Sequence, residues 1–300
     1  MTPRIIGRDV EDRLTWGGLT AALEAGHLRP RAEIRDMVLY RGGDTLLNRA
    51  AWIDGLGQLV KVATVFPGNG AQGLPTVNGA VTLYDDRTGV LTALVDFHLV
   101  TKWKTAGDSL LSARRLARKD SRRILLVGAG TVARSMVGAY ASAFPQAEFT
   151  VWSRNRATAA ATGLPVADDL EAAVRGADII CTATMSHHPL IKGAWLQPGQ
   201  HLDLIGAYTA AMREVDDEAM SRARVFVDSR ATTIGHIGEL IEPIKSGAIS
   251  EADVIADFYD DPAGYDRRSD DEITIAKNGG GAHLDLMTAD YIARTAGAGG

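Results

Sequence analysis

Cysteine is almost missing from this chain. Cys181 stands alone in 300 residues, which excludes an internal disulfide and any cluster of thiolate metal ligands. It lies in the apolar run ADIICTAT and reads as a buried strand thiol rather than a nucleophile. Long apolar runs are missing too, since none reaches the roughly 18 residues that a bilayer-spanning helix requires. Basic charge is not in surplus: 32 Lys and Arg stand against 37 Asp and Glu, a net charge of −5. Phosphate neutralisation needs a basic face, so no nucleic-acid partner is expected. The opening MTPRIIGRDVEDR has no apolar export segment, which makes a cytoplasmic location the expectation. No metal site is expected either. His187 and His188 are adjacent in an extended stretch and cannot both point into one site, and neither has an acidic or histidine partner at ligand spacing.

The composition that is present, 46% apolar and 23% charged, is that of a soluble globular protein. Three hundred residues suit two domains, or one domain with a large extension. Up to about Ser121 the pattern is mixed. LTWGGLTAALEAGHL reads as a helix; DTLLNRAAW, LVKVATVF and GAVTLYDDRTGVLTALVDF read as strands. Tyr84 to Gly89 is a hairpin-type turn, so this sheet is expected to be largely antiparallel. After a helical stretch from Leu99 to Leu116 and a polar linker, strands and helices alternate from ILLVGAG onwards. That alternation predicts a parallel sheet with helices on both faces. The fold expectation is therefore α/β: a Rossmann-type doubly wound domain over residues 121–281, and an α+β domain over 1–120. The closing segment, 282–300, is expected to rejoin the first domain.

The most informative stretch is RILLVGAGTVARSMV, a strand that breaks at Gly128-Ala129-Gly130 and opens a helix. Such a turn presents free backbone N–H groups to a pyrophosphate, and Gly128, Gly130, Thr131 and Val132 are the candidate cradle. Its last small position is Ala133, so the fingerprint alone is weak. The next strand ends in Trp152-Ser153-Arg154-Asn155-Arg156, where an NAD site usually carries an acid for the ribose 2′-OH. Ser153, Arg154 and Arg156 instead suit a 2′-phosphate, so NADP(H) is favoured, with NAD(H) as the alternative. Ligands sit beyond the carboxyl ends of parallel strands, which makes Thr182, Ala183, Thr184 and Gly206 the candidate nicotinamide side. Glu214 and Asp228 read as caps or helix-start acids.

In these motifs the chain resembles the ornithine cyclodeaminase/mu-crystallin family from about Leu46 to Ala289. The resemblance rests on LVKVATVFPGN, GLPT, LVTKWKTAGDS, VGAG, GADIICTATMSHHPLI, WLQPGQHLDLIGA, MREVDD, VFVDS and DEITIAKNGG. It implies a dinucleotide domain joined to an antiparallel-sheet domain that forms a homodimer contact. It also implies hydride transfer at a carbon bearing nitrogen and a neighbouring carboxylate. Lys61 then matches a lysine that contacts the substrate carboxylate or acts at the imine, and Thr76 a threonine in the same pocket. Lys104 stands where the family's T-x-x-R-T-A segment has a carboxylate-binding arginine, and Thr105 follows beside the cofactor. Arg35 and Arg49 are both candidates for an early arginine that helps hold the carboxylate.

Departures from the family pattern choose among activities. The aspartate and lysine that follow the G-A pair in ornithine cyclodeaminases match Tyr208 and Met212 here, and the family's F-x-S-x-G is Ala276 to Gly280. Tyr208 is a candidate proton donor or a pocket wall. Lys104 replaces a bidentate fork with a point charge. The expectation is an NAD(P)H-dependent reductase of a small imino acid, such as Δ1-pyrroline-2-carboxylate or Δ1-piperideine-2-carboxylate, with Lys61, Lys104 and Tyr208 as catalytic candidates. A cyclodeaminase, an alanine dehydrogenase-like enzyme and a non-catalytic NADPH-dependent binder are the alternatives.

Overall fold

The computed structural model describes residues 2–298. In chain order the strands are β1 (Arg4–Ile6), β2 (Glu33–Arg41), β3 (Asp44–Ile53), β4 (Gly57–Val65), β5 (Val77–Tyr84), β6 (Leu91–Asp96), β7 (Arg123–Val127), β8 (Glu148–Trp152), β9 (Ile179–Thr182), β10 (His201–Leu204), β11 (Arg224–Val227) and β12 (Thr274–Lys277). The α-helices are α1 (Trp16–His27), α2 (Phe97–Leu116), α3 (Thr131–Ala143), α4 (Arg156–Ala160), α5 (Leu170–Gly176), α6 (Asp217–Arg222), α7 (Arg230–Thr233), α8 (Gly238–Ser246) and α9 (Ala282–Gly297). No helix among the described residues is long and apolar enough to cross a membrane.

The chain divides into two compact units. One comprises Met1–Lys104 with Gly281–Gly300, the other Thr105–Gly280. The division falls inside α2 rather than at the polar linker near residue 120. A hydrogen-bonded helix is continuous through Leu116, so that linker only joins its end to β7.

The first unit carries a six-stranded sheet in the order β1-β6-β5-β4-β3-β2. Only β1 pairs in parallel, with β6; the remaining pairs are antiparallel. Leu59, Lys61 and Ala63 alternate on the buried side of β4, the two-residue period of a half-buried strand. The helix α9 packs against β3, β4 and α1. The edge strand β2 was not legible as a strand, because EIRDMVLYR carries charge among its apolar residues and is exposed along most of its length.

The second unit is an all-parallel sheet ordered β11-β12-β10-β9-β7-β8. Apart from the edge strand β8, its strands are short and almost wholly buried, as two-sided cover by helices requires. Leu125, Val127, Ile180, Leu204, Val227 and Ile275 belong to its main core. The order places β7 between β8 and β9, which is the switch point where such sheets open a crevice. Both β12 and α8 escape the sequence pattern. β12 has only four residues, and α8 contains Pro243.

Candidate functional site

Two groups of residues carry chemistry, one in each unit. In the first unit the register of the sheet does the sorting. Arg49 on β3 lies directly opposite Lys61 on β4, and Asp36 on β2 opposite Arg49, so the three share a face. Arg35 is one residue out of phase and faces the other way. Its side chain is 85% exposed, donates to the neighbouring Ile34 carbonyl and lies 3.9 Å from Glu33 Oε2. Arg49, by contrast, reaches both oxygens of Asp36 at 2.8 to 3.1 Å. Of the two early arginines, the structure brings only Arg49 to Lys61.

The Lys61 side chain is 6% exposed. Its ammonium donates to Asp285 Oδ1 and to Thr101 Oγ1, both at 2.8 Å, and lies 4.8 Å from the centre of the Phe97 ring. Burial pushes the Lys61 pKa down, Asp285 opposes that shift, and Lys104 and Arg49 add to it. Asp285 is held below the usual carboxylate range by Lys61, Lys104 and Arg49, against its complete burial. Lys102 and Lys104 are two apart on α2 and so lie on different faces. Lys102 pairs with Glu11 at the surface, whereas Lys104 is buried. Thr76 sits in the exposed loop before β5, and its carbonyl accepts from Phe66 N–H. Sequence reasoning missed Asp285. A first-turn acid after glycines signals only a helix start, and 224 residues separate it from Lys61.

In the second unit the chain turns at Gly128 with φ +113°, a region that L side chains avoid, and a Cβ there would meet Ala183 O at 2.6 Å. At Gly130, the N-cap of α3, an added Cβ would meet nothing within 4 Å. No side chain caps this helix and its first turn holds no acid. Thr131 is exposed and Val132 half-buried. An open, uncapped and uncharged helix start fits a pyrophosphate. At the tip of β8, Arg156 pairs with Asp168. Arg154 is exposed and forms no ion pair among the described residues, and Ser153 is half-buried. Thr105, half-buried, opens this unit on α2.

The strand-end residues are fixed by Glu214, which corrects its reading as a helix-start acid: the N-cap of α6 is Asp216. The fully buried Glu214 carboxylate accepts from the hydroxyls of Thr182 and Thr184 and from the N–H groups of Thr184, Gly206 and Ala207, at 2.7 to 3.2 Å. The Thr182 and Thr184 hydroxyls are thus turned to Glu214, not left for a nicotinamide. A Cβ at Gly206 would meet Thr184 O at 2.1 Å and N at 2.2 Å. We expect Gly206→Ala to cost on the order of 3 kcal/mol, read as a lowered midpoint in thermal unfolding, because backbone cannot yield as a side chain would.

Glu239 completes the clamp by accepting from the N–H groups of Glu214 and Val215. Burial and the Glu214 charge push Glu239 up from 4.5 to about 7. A carboxyl whose folded pKa is raised contributes stability that is full below its unfolded value and is lost as pH rises through the folded one. The difference in stability between wild type and Glu239→Gln should therefore change between pH 4.5 and about 7, and be flat above and below. Urea titrations across that range check it.

Lys277 is wholly buried and donates to the carbonyls of Leu204 and Ala207, both at 2.7 Å. Asn278 and Tyr140 donate to the buried Asp203, which burial pushes up to about 6. Asp228 receives the N–H groups of Gly279 and Gly280. The segment Ala276 to Gly280 is thereby tied into the unit's own frame. Tyr208 is 61% exposed, and Met212 packs with Ala207 and Ile237 in a small apolar cluster. Cys181 is buried, and burial pushes its thiol well up. Among the described residues no group of three or more His, Cys, Asp or Glu side chains is placed to hold a metal ion.

Residues 54–299 match the profile of the ornithine cyclodeaminase/mu-crystallin family. A Delta(1)-pyrroline-2-carboxylate reductase of Paracoccus denitrificans is 52% identical over 298 residues, 95% of this chain and 94% of that protein. The structure of Thermococcus litoralis Delta(1)-pyrroline-2-carboxylate reductase, in complex with NADH and L-proline, superposes with a TM-score of 0.88. It is 26% identical and covers 99% of this chain and 98% of its own. An archaeal alanine dehydrogenase dimer with bound NAD gives 0.89 at 27% identity, covering 100% and 97%. The chain belongs to the ornithine cyclodeaminase/mu-crystallin family.

Proposed function

We propose that this chain is a reductase of small imino acids that acts on the C=N bond of a cyclic ketimine, with Δ1-pyrroline-2-carboxylate as its substrate. The observation that carries this reading is the near full-length relation to the Paracoccus denitrificans reductase. The Lys61 cluster supports it chemically, because the buried Lys61 and the half-buried Arg49 share one sheet face and suit a carboxylate-bearing imine. A reduced nicotinamide dinucleotide supplies the hydride when bound. Gly128, Gly130, Thr131 and Val132 would hold its pyrophosphate. The family's cyclodeaminase pair falls on an exposed tyrosine and an apolar-packed methionine, which disfavours ornithine as substrate. Loss of NADPH absorbance with the cyclic ketimine tests the reading. Ammonia release from ornithine without net oxidation, turnover of alanine alone, or no turnover at all would each favour one of the alternatives.

NADPH is the preferred form in this reading, since the β8 tip offers Ser153 and an ion-pair-free Arg154 and holds no acid. Arg154→Ala should raise KM for NADPH about tenfold, the loss of roughly one charge-assisted hydrogen bond, and leave KM for NADH unchanged. Faster turnover of the wild type with NADH would overturn the preference.

The functional form is a homodimer in this reading. Met37, Val38, Leu39 and Tyr40 project from the edge strand β2 to both faces and are exposed, an apolar surface of the kind that marks an interface. Light scattering on Leu39→Asp, compared with wild type, should show a halved mass.

A further inference from the structure

We propose that Asp285 is a positioning residue for the reduction, holding the Lys61 ammonium so that Lys61 gives its proton to the imine nitrogen. This rests on the reductase reading above and adds a role to a residue which that reading leaves unassigned. The fold brings this carboxylate to Lys61 from its last helix.

An ammonium has three N–H donors. Two of those of Lys61 are committed at 2.8 Å, to Asp285 Oδ1 and Thr101 Oγ1, and the ammonium lies 4.8 Å from the centre of the Phe97 ring. One donor direction is left, and the two hydrogen bonds define it. Asp285 itself is completely buried, so it acts through Lys61. Its second oxygen makes no hydrogen bond among the described residues and lies 3.9 Å from Arg49, so one carboxylate serves both cations. The charged groups facing Lys61 are Arg49 on β3, Lys104 on α2 and Asp285 on α9.

The step balances. As the imine carbon accepts hydride from the reduced nicotinamide, the C=N π pair moves to nitrogen and forms an N–H bond with the Lys61 proton. Lys61 is left as a neutral amine beside Asp285, and solvent restores its proton. Turnover therefore requires protonated Lys61, and activity falls at high pH along a limb set by this lysine. Asp285 is the one anion in the set, and removing its charge lowers the Lys61 pKa.

Asp285→Asn keeps the shape and removes the charge. We expect kcat to fall about a hundredfold and the alkaline limb to move at least one pH unit towards acid. NMR of protein labelled with 13C-lysine, with Lys61 assigned by Lys61→Met, should show the same displacement of its titration without substrate. Thr101→Val, which keeps the charge, should leave the limb in place. If Asp285→Asn does not fold, the wild type still decides, because the alkaline limb of its kcat/KM and its Lys61 titration without substrate must coincide. An active wild type in which they differ, or an active Asp285→Asn with an unmoved limb, overturns the assignment alone. A wild type without ketimine reduction overturns the reductase reading, and the proton donation with it.

Discussion

Lys61→Met is expected to lower kcat/KM for the cyclic ketimine about a thousandfold while leaving NADPH affinity unchanged. Loss of a positioned general acid costs roughly 10²- to 10⁴-fold, and reduction at a ketimine carbon needs a protonated nitrogen to receive the electron pair. The variant also leaves Asp285 buried without its principal cation. Removing one partner of a buried pair costs about 3 to 5 kcal/mol, so the thermal midpoint should fall as well. The two effects separate in the double variant Lys61→Met/Asp285→Asn. Neutralising both partners should restore much of the stability, while activity stays at the level of the single variant. Recovery of activity together with stability would assign Lys61 a structural role. Dinucleotide affinity, followed by quenching of tryptophan fluorescence, should be the same in all three proteins.

The second large effect is expected in the other unit. Glu214→Ala should leave that unit unable to bind a dinucleotide and largely unfolded at ambient temperature. Five donors end on this one carboxylate. Three are main-chain N–H groups at the ends of β9 and β10, so they cannot rotate to find another partner. At about 1 kcal/mol or more for each buried donor left unmade, the loss is on the order of 5 kcal/mol, comparable with the whole stability of many domains. Circular dichroism and NADPH titration check the expectation. Glu214→Gln should be intermediate, because an amide keeps one acceptor but turns an NH₂ group towards N–H groups. A Glu214→Ala protein with wild-type melting and NADPH affinity would show that the clamp is dispensable.

Some of this was legible in the chain and some was not, for reasons that differ by residue. LVKVATVF was legible as a strand carrying Lys61, but with apolar residues on both of its faces the side was open, and only the folded sheet turns Leu59, Lys61 and Ala63 inward. The glycine turn was legible because φ +113° at Gly128 is a local demand that leaves a local mark. The choice between Arg35 and Arg49 was not legible. Both lie in charged, half-apolar stretches, and only the pairing of β2, β3 and β4 fixes which one shares a face with Lys61. Thr182 and Thr184 stood at the right strand end, but their hydroxyls are engaged by a glutamate some 30 residues on. Asp285 and Lys277 went unread because a helix-start acid and a lysine near a chain turn are common at surfaces.

The sequence by itself determined the two sheet types, the dinucleotide turn and the family. Each is written in short-range periodicity or in a residue that its own backbone conformation requires. Only the tertiary structure decided that Lys61 is buried, what surrounds it and what steadies the strand ends. Asp285 and Glu214 act through contacts between segments far apart in the chain, and a charge is buried only once its partner arrives. No local pattern records which partner that will be.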